Sequence, residues 1–138
     1  MSESDLKVKE MMTKEVSTLG RNDTLDLADD MMTLERIRHL PVLDEGRVVG
    51  VVSQRDLFRS ALAAALGYGE KAQKMLLRTI RVKEVMREPA ITASPEATAK
   101  EAARLMLEHK IGCLPVIEGH TLVGIVTETD ILRYVVSF

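Results

Sequence analysis

The sequence predicts an α+β fold made of two βαββα copies. Three observations predict it: a gapless internal repeat, apolar patterning that alternates between helical and strand periods at matching places, and a short polar, Gly-containing turn between two β-rich runs in each copy. Residues 8–58 lie over residues 82–132 at a constant offset of 74. About 16 of roughly 51 positions are identical, too many for chance. Val8-Lys9-Glu10 recurs as Val82-Lys83-Glu84, Leu40-Pro41-Val42 as Leu114-Pro115-Val116, and Gly50-Val51-Val52-Ser53 as Gly124-Ile125-Val126-Thr127. A copy of about fifty residues is too small to bury a core comfortably. The 138 residues are therefore expected to form a single module, with repeat one at 8–58, a helical linker at 59–81 and repeat two at 82–132.

Each copy opens with a short amphipathic turn and a brief extended piece, residues 15–19 in the first and 90–93 in the second. A helix follows. In copy two Ser94 is expected to cap it, Pro95 suits the first helical position, and Glu96 complements the helix dipole. Ala99, Ala102, Ala103 and Met106 then make an apolar stripe, with Gly112 as terminator. In copy one Asn22 or Asp23 begins the helix, and Leu27, Met31 and Leu34 supply the stripe. Next come two hairpins, 39–43 with 47–52 and 113–117 with 121–126, whose loops are Asp44-Glu45-Gly46 and Glu118-Gly119-His120. A closing helix starts at Ser53 and again at Thr127. Between the copies, an Ala/Leu-rich stretch, a Gly67-Tyr68-Gly69 break and a basic amphipathic segment at 71–81 read as helix, turn, helix, with the basic face in solvent.

Composition bounds the function. The chain is 46% hydrophobic and 29% charged, as in a protein with a packed core, and its formal net charge of −2 gives no electrostatic reason to expect nucleic acid or a membrane as partner. The single cysteine, Cys113, excludes an internal disulfide and a cysteine-built zinc site, and it suits a reducing, cytoplasmic setting. Residues 1–9 hold no apolar signal-peptide stretch, and the longest apolar run, 61–66, is too short to span a bilayer. His39, His109 and His120 lack metal-ligand spacing. No nucleophile elbow, phosphate loop or dinucleotide fingerprint is present, so the sequence offers no basis for catalysis.

The motif with chemical potential is Ser53-Gln54-Arg55-Asp56, repeated as Thr127-Glu128-Thr129-Asp130. A hydroxyl at a strand-to-helix junction sits beside unpaired helix N–H groups, a natural place for a phosphate. Three residues on, an ionised carboxylate has two acceptor oxygens and can take both hydroxyls of a ribose diol. The competing reading is a capping box, in which the acid merely bonds back to its own main chain.

Two βαββα copies, each with hydrophobic-Leu-Pro-Val and closing on Gly-hydrophobic-hydrophobic-Ser/Thr-x-x-Asp, resemble the cystathionine-β-synthase (CBS) domain family, whose domains occur in pairs called Bateman modules. The resemblance covers nearly the whole chain. It implies copies packed sheet to sheet about a pseudo-twofold axis, an association of two modules into a disc-like homodimer, and an adenine nucleotide (AMP, ADP or ATP) held between the copies, with no cofactor required. By the same resemblance Asp56 and Asp130 bind ribose and Ser53 and Thr127 lie near phosphate. Thr18 and Thr92 line the adenine and ribose end, and Pro41 and Pro115, with Val16, Leu40, Ala90 and Leu114, wall the base. Arg38, His39 and Arg55 stand where family members meet phosphates, a task that suits the arginine fork. Their counterparts are Gly112, Cys113 and Thr129, and Glu128 replaces Gln54. The Asp56 site is therefore expected to favour phosphorylated ligands, and the Asp130 site to be weak, empty or suited to a less charged adenosine compound. Such a sensor would modulate a partner protein of unknown identity. The alternative is a ligand-independent homodimerisation or interaction module with vestigial clefts.

Overall fold

In chain order the elements are α1 (Val8–Met11), β1 (Leu19–Gly20), α2 (Leu25–Glu35), β2 (His39–Asp44), β3 (Arg47–Ser53), α3 (Gln54–Ala65), α4 (Gly69–Leu77), a 3-10 turn (Val82–Glu84), α5 (Ala99–His109), β4 (Cys113–Glu118), β5 (Thr121–Thr127) and α6 (Glu128–Val136). They are seen in a computed structural model that describes residues 6–65 and 69–137. The mixed α+β class expected from the patterning is the class observed. The Gly67-Tyr68 part of the expected inter-copy break lies outside the described residues.

The chain divides into two units, Ser17–Ala90 and Met1–Val16 with Ile91–Phe138. In the first, β2 is central, parallel to β1 and antiparallel to β3; in the second, β4 and β5 pair antiparallel, and Ala93 adds a single parallel bridge to Val116. Both hairpins close through two-residue turns. Glu45 and Gly46 both have positive φ (51° and 79°), and Gly119 has φ 64°, the left-handed conformations whose twist matches a hairpin. Asp44 and Glu118 close the strands instead of belonging to the loops.

The helix starts and one helical stripe differ from expectation. In copy two the N-cap is Thr98, whose hydroxyl accepts from Glu101 N–H at 3.1 Å while Thr98 N–H donates to Glu101 at 3.3 Å. This reciprocal box satisfies two orphan donors. Ser94 instead folds a tight turn, with Ala97 N–H on its carbonyl and Glu96 N–H on its Oγ, both at 3.1 Å. Helix α2 begins after Thr24, not at Asn22 or Asp23. Both helices end on a left-handed residue at matching positions, Arg36 and Lys110, each with φ 55°, so Gly112 is not the terminator. The buried stripe of α2 is Leu25, Ala28 and Met32, while Leu27 and Leu34 are 42% and 83% exposed. In α5 the buried residues are Ala99, Ala102 and Met106.

The units do not follow the repeat boundaries, because each copy's opening turn joins the other copy's hairpin. Residues of the 3-10 turn region bond to the first unit through Leu25 N–H to Ile80 O (2.9 Å), Val82 N–H to Asp23 O (2.8 Å) and the mutual pair of Val51 and Arg87 (3.1 and 2.9 Å). In the second unit Val8 N–H reaches Ala97 O (2.8 Å), Ala99 N–H reaches Leu6 O (2.8 Å), and Thr13 and Ile125 exchange bonds of 2.9 Å. Val8 and Val82 are fully buried, one in each core. Close approach requires glycine: a Cβ on Gly50 would lie 2.8 Å from Arg87 O, and one on Gly124 would lie 3.0 Å from Thr13 O. That explains a glycine inside each β-rich run. Helix α4 packs on the first unit through buried Leu77, and Lys74 pairs with Asp29 and Asp30, while Lys71, Arg78 and Arg81 are exposed.

Candidate functional site

Strand β3 ends at Ser53, directly across from His39, and Gln54 N–H bonds to Arg38 O at 2.8 Å. These contacts bring Arg38, His39, Ser53, Arg55 and Asp56 to one junction at the start of α3. Asp56 is only 9% exposed. Its Oδ2 accepts from Ser53 N–H at 2.9 Å and from Ser53 Oγ at 2.8 Å, and Asp56 N–H donates to Ser53 Oγ at 3.2 Å. The capping reading of the motif is thus realised in this structure. It engages one carboxylate oxygen and leaves the other, Oδ1, 3.5 Å from Arg87 Nε, longer than an ordinary N–H···O bond.

The second junction repeats this at an offset of 74. Cys113 faces Thr127, Glu128 N–H bonds to Gly112 O at 3.0 Å, and Asp130 Oδ2 accepts from Thr127 N–H and Oγ1 at 2.8 and 3.2 Å. Asp130 has no ion pair among the described residues. The position matching Arg87 is Thr13, which makes the same strand-edge bridge. Arg87 was not among the candidates read from the sequence. It reaches Asp56 only because the opening segment of copy two packs on the hairpin of copy one, and the signal for that exchange was the repeated glycine at 50 and 124.

Side chains alternate along a strand, so His39, Pro41, Val51 and Ser53 share one sheet face. Leu40, Val42 and Val52 share the other and pack into the core with α2 and α3. Leu40 and Leu114 are fully buried in the cores, on the sheet face opposite His39 and Ser53 in the first copy and Cys113 and Thr127 in the second. Pro41 and Pro115 are also fully buried. Thr18 and Thr92 are half-buried, each one residue ahead of the position that bridges Val42 or Val116. They therefore stand on the strand edge, several residues along β2 and β4 from the two junctions. A hollow of about 650 Å³ between α2, α3 and α4 is lined by Met32, Gln54, Leu57, Phe58, Lys71 and Leu77 among others, but by neither Ser53 nor Asp56.

Cys113 is buried, and burial, aided by the charge of Glu128, pushes its thiol up to about 12. It is a small hydrophobe here, not a nucleophile. Among the described residues no three metal-ligating side chains converge, and no helix is long and apolar enough to cross a membrane.

A family profile, the CBS domain, matches residues 8–63 and 82–137. Protein MJ1404 of Methanocaldococcus jannaschii is 36% identical over 95% of this chain, which spans 32% of that protein's length. Two solved structures are similar over nearly the whole chain. The CBS domain pair of protein MJ0100, in complex with 5′-methylthioadenosine and S-adenosyl-L-methionine, is 28% identical with a TM-score of 0.77, over 95% of this chain and 96% of that one. CBSX2 in complex with AMP is 26% identical with a TM-score of 0.78, over 96% of this chain and 98% of that one.

Proposed function

The chain belongs to the CBS domain family, and from that premise we propose that it is a regulatory module that binds an adenosine-containing ligand, AMP, ADP or ATP among them, at its two strand-to-helix junctions. The observation that carries this reading is the duplicated carboxylate. Asp56 and Asp130 stand in the same register, each with Oδ2 held by its own cap. The cap fixes the side-chain rotamer, so the second oxygen is already oriented before a ligand arrives, which lowers the entropic cost of binding. A ribose diol suits that oxygen, and the helix N-terminus favours a phosphate beside Ser53 or Thr127. Arg38, His39, Arg55 and the Thr18 and Thr92 hydroxyls complete the proposed contact set, with Pro41 and Pro115 beneath. The complexes of the two similar structures, one with AMP and one with 5′-methylthioadenosine and S-adenosyl-L-methionine, support an adenosine ligand as the class. Occupancy would act on a partner protein through the ligand's differential affinity for two arrangements of the module.

Thermal unfolding with millimolar AMP, ATP or 5′-methylthioadenosine tests this reading. A ligand at about 100 times its Kd should add about 2.7 kcal/mol, and combining Asp56→Asn with Asp130→Asn should cut that shift by about half or more. No shift with any of the three compounds would refute it.

Two observations favour the alternative of a ligand-independent homodimerisation module: both acids already close capping boxes, and Leu132, Val135 and Val136 of α6 are 64%, 59% and 82% exposed. Under that reading light scattering shows a dimer without ligand, and nucleotide changes neither its mass nor its stability.

A further inference from the structure

The two junctions act as an internal control, since repetition keeps the backbone and changes the charges. In the first, Arg87 Nε stands 3.5 Å from Asp56 Oδ1, and Arg38 and Arg55 belong to the same junction. In the second, the corresponding residues are Thr13, Gly112 and Thr129, and Glu128 stands where the first has Gln54. Asp56 thus has a cation near its free oxygen, whereas Asp130 has none among the described residues and its helix carries a further acid, Glu128. Arg87 differs from the other two arginines in having both a backbone bridged to β3 and a guanidinium within ion-pair distance of the carboxylate. Its backbone is held to Val51 by two hydrogen bonds of 3.1 and 2.9 Å, which keep the side chain on the Asp56 side of the strand edge.

A bare carboxylate that grips a ribose diol also repels any phosphate carried a few ångströms away on the same sugar, and in a partly buried place this repulsion is poorly screened. A cation fixed on that carboxylate removes the repulsion without occupying the diol's position, because a carboxylate oxygen accepts more than one hydrogen bond. Resting on the functional reading above, we propose that Arg87 is the charge-selectivity residue of the first junction. It lets Asp56 hold a phosphorylated adenosine, while Thr13 at the equivalent position leaves the Asp130 junction selective for a neutral or cationic adenosine compound. The residue that sets selectivity at the Asp56 junction therefore comes from the opening segment of the other repeat.

The experiment is calorimetric titration of the full chain with AMP and with 5′-methylthioadenosine, which shares the nucleoside but has no phosphate. An Asp130→Asn background leaves one junction to read. Arg87→Gln should weaken AMP about tenfold and 5′-methylthioadenosine less than about twofold, and Arg87→Lys, which keeps the charge, should restore most of the AMP affinity. In the reciprocal Asp56→Asn background, Thr13→Arg should raise AMP affinity relative to the thioether. An equal loss of both compounds in Arg87→Gln, or an unchanged ratio, would overturn the selectivity role and leave adenosine binding standing. Failure of the unsubstituted chain to bind either compound would overturn the functional reading, and this inference with it.

Discussion

Replacing Asp56 by alanine removes three interactions at once, and the structure sets the size of the loss in the ligand-free protein. The cap bond itself, from Asp56 N–H to Ser53 Oγ at 3.2 Å, has a main-chain donor and survives the substitution. The two hydrogen bonds from Ser53, at 2.9 and 2.8 Å, go to a charged acceptor that is 9% exposed; together they contribute about 2 kcal/mol. The ion pair to Arg87, whose side chain is 49% exposed, is screened and adds at most about 0.5 kcal/mol. The expected cost is therefore about 2–3 kcal/mol. Asp130→Ala loses two such bonds, one of them longer at 3.2 Å, and no ion pair, so about 1–2 kcal/mol is expected. Asp56→Asn keeps an acceptor for the Ser53 donors and should cost about 1 kcal/mol. Urea denaturation followed by circular dichroism measures all three, with the slope checked because two units need not unfold in one step. An Asp56→Ala chain within about 0.5 kcal/mol of its parent, or an Asp130→Ala chain that loses more than Asp56→Ala, would refute the described commitment of these carboxylates.

Gly50→Ala places a Cβ 2.8 Å from Arg87 O and 2.9 Å from Met86 Sδ; the carbonyl cannot yield without opening the strand-edge bridge, so a loss of about 1–3 kcal/mol and faster hydrogen exchange at the Arg87 amide are expected. Cys113 keeps its proton up to about 12 in the folded chain, so a thiol reagent at pH 8 should label it only after denaturant is added. The pH dependence has a definite sign: above the ordinary thiol value of 9.0 the unfolded chain releases a proton that the folded chain retains, so stability falls as pH rises from there toward 12. Thr98→Ala should cost about 1 kcal/mol by denaturation, whereas Thr24→Ala should cost less, since the Thr24 side chain makes no cap bond to α2.

Much of this architecture was legible because strand, turn and closing helix are specified locally. The Gly-hydrophobic-hydrophobic-Ser/Thr-x-x-Asp run places a strand end, a cap and a carboxylate in consecutive residues, and the structure puts them there in both copies. The opening helices were harder to place. Ser94-Pro95-Glu96 has the composition of a helix start, but Ser94 closes only a turn at Ala97, and Thr98-x-x-Glu101, four residues further on, forms the reciprocal box that starts the helix. In α2 two apolar stripes compete, and the one containing Leu25 faces the sheet. Arg87 was hidden because its partner lies in the other copy. Nothing local marks a salt bridge of that kind. A glycine at positions 50 and 124, inside otherwise β-branched runs, was the available sign that a second backbone passes close by.

Adenosine binding at the first junction depends on one oxygen of Asp56 being offered to a sugar. Calorimetric titration of the intact chain with AMP and with its 2′,3′-dideoxy analogue isolates that contact, since the two differ only in the ribose hydroxyls. The diol should be worth at least about tenfold in affinity, and combining Asp56→Asn with Asp130→Asn should shrink that advantage to about twofold or less. Equal affinity of the unsubstituted chain for the two compounds would contradict the account.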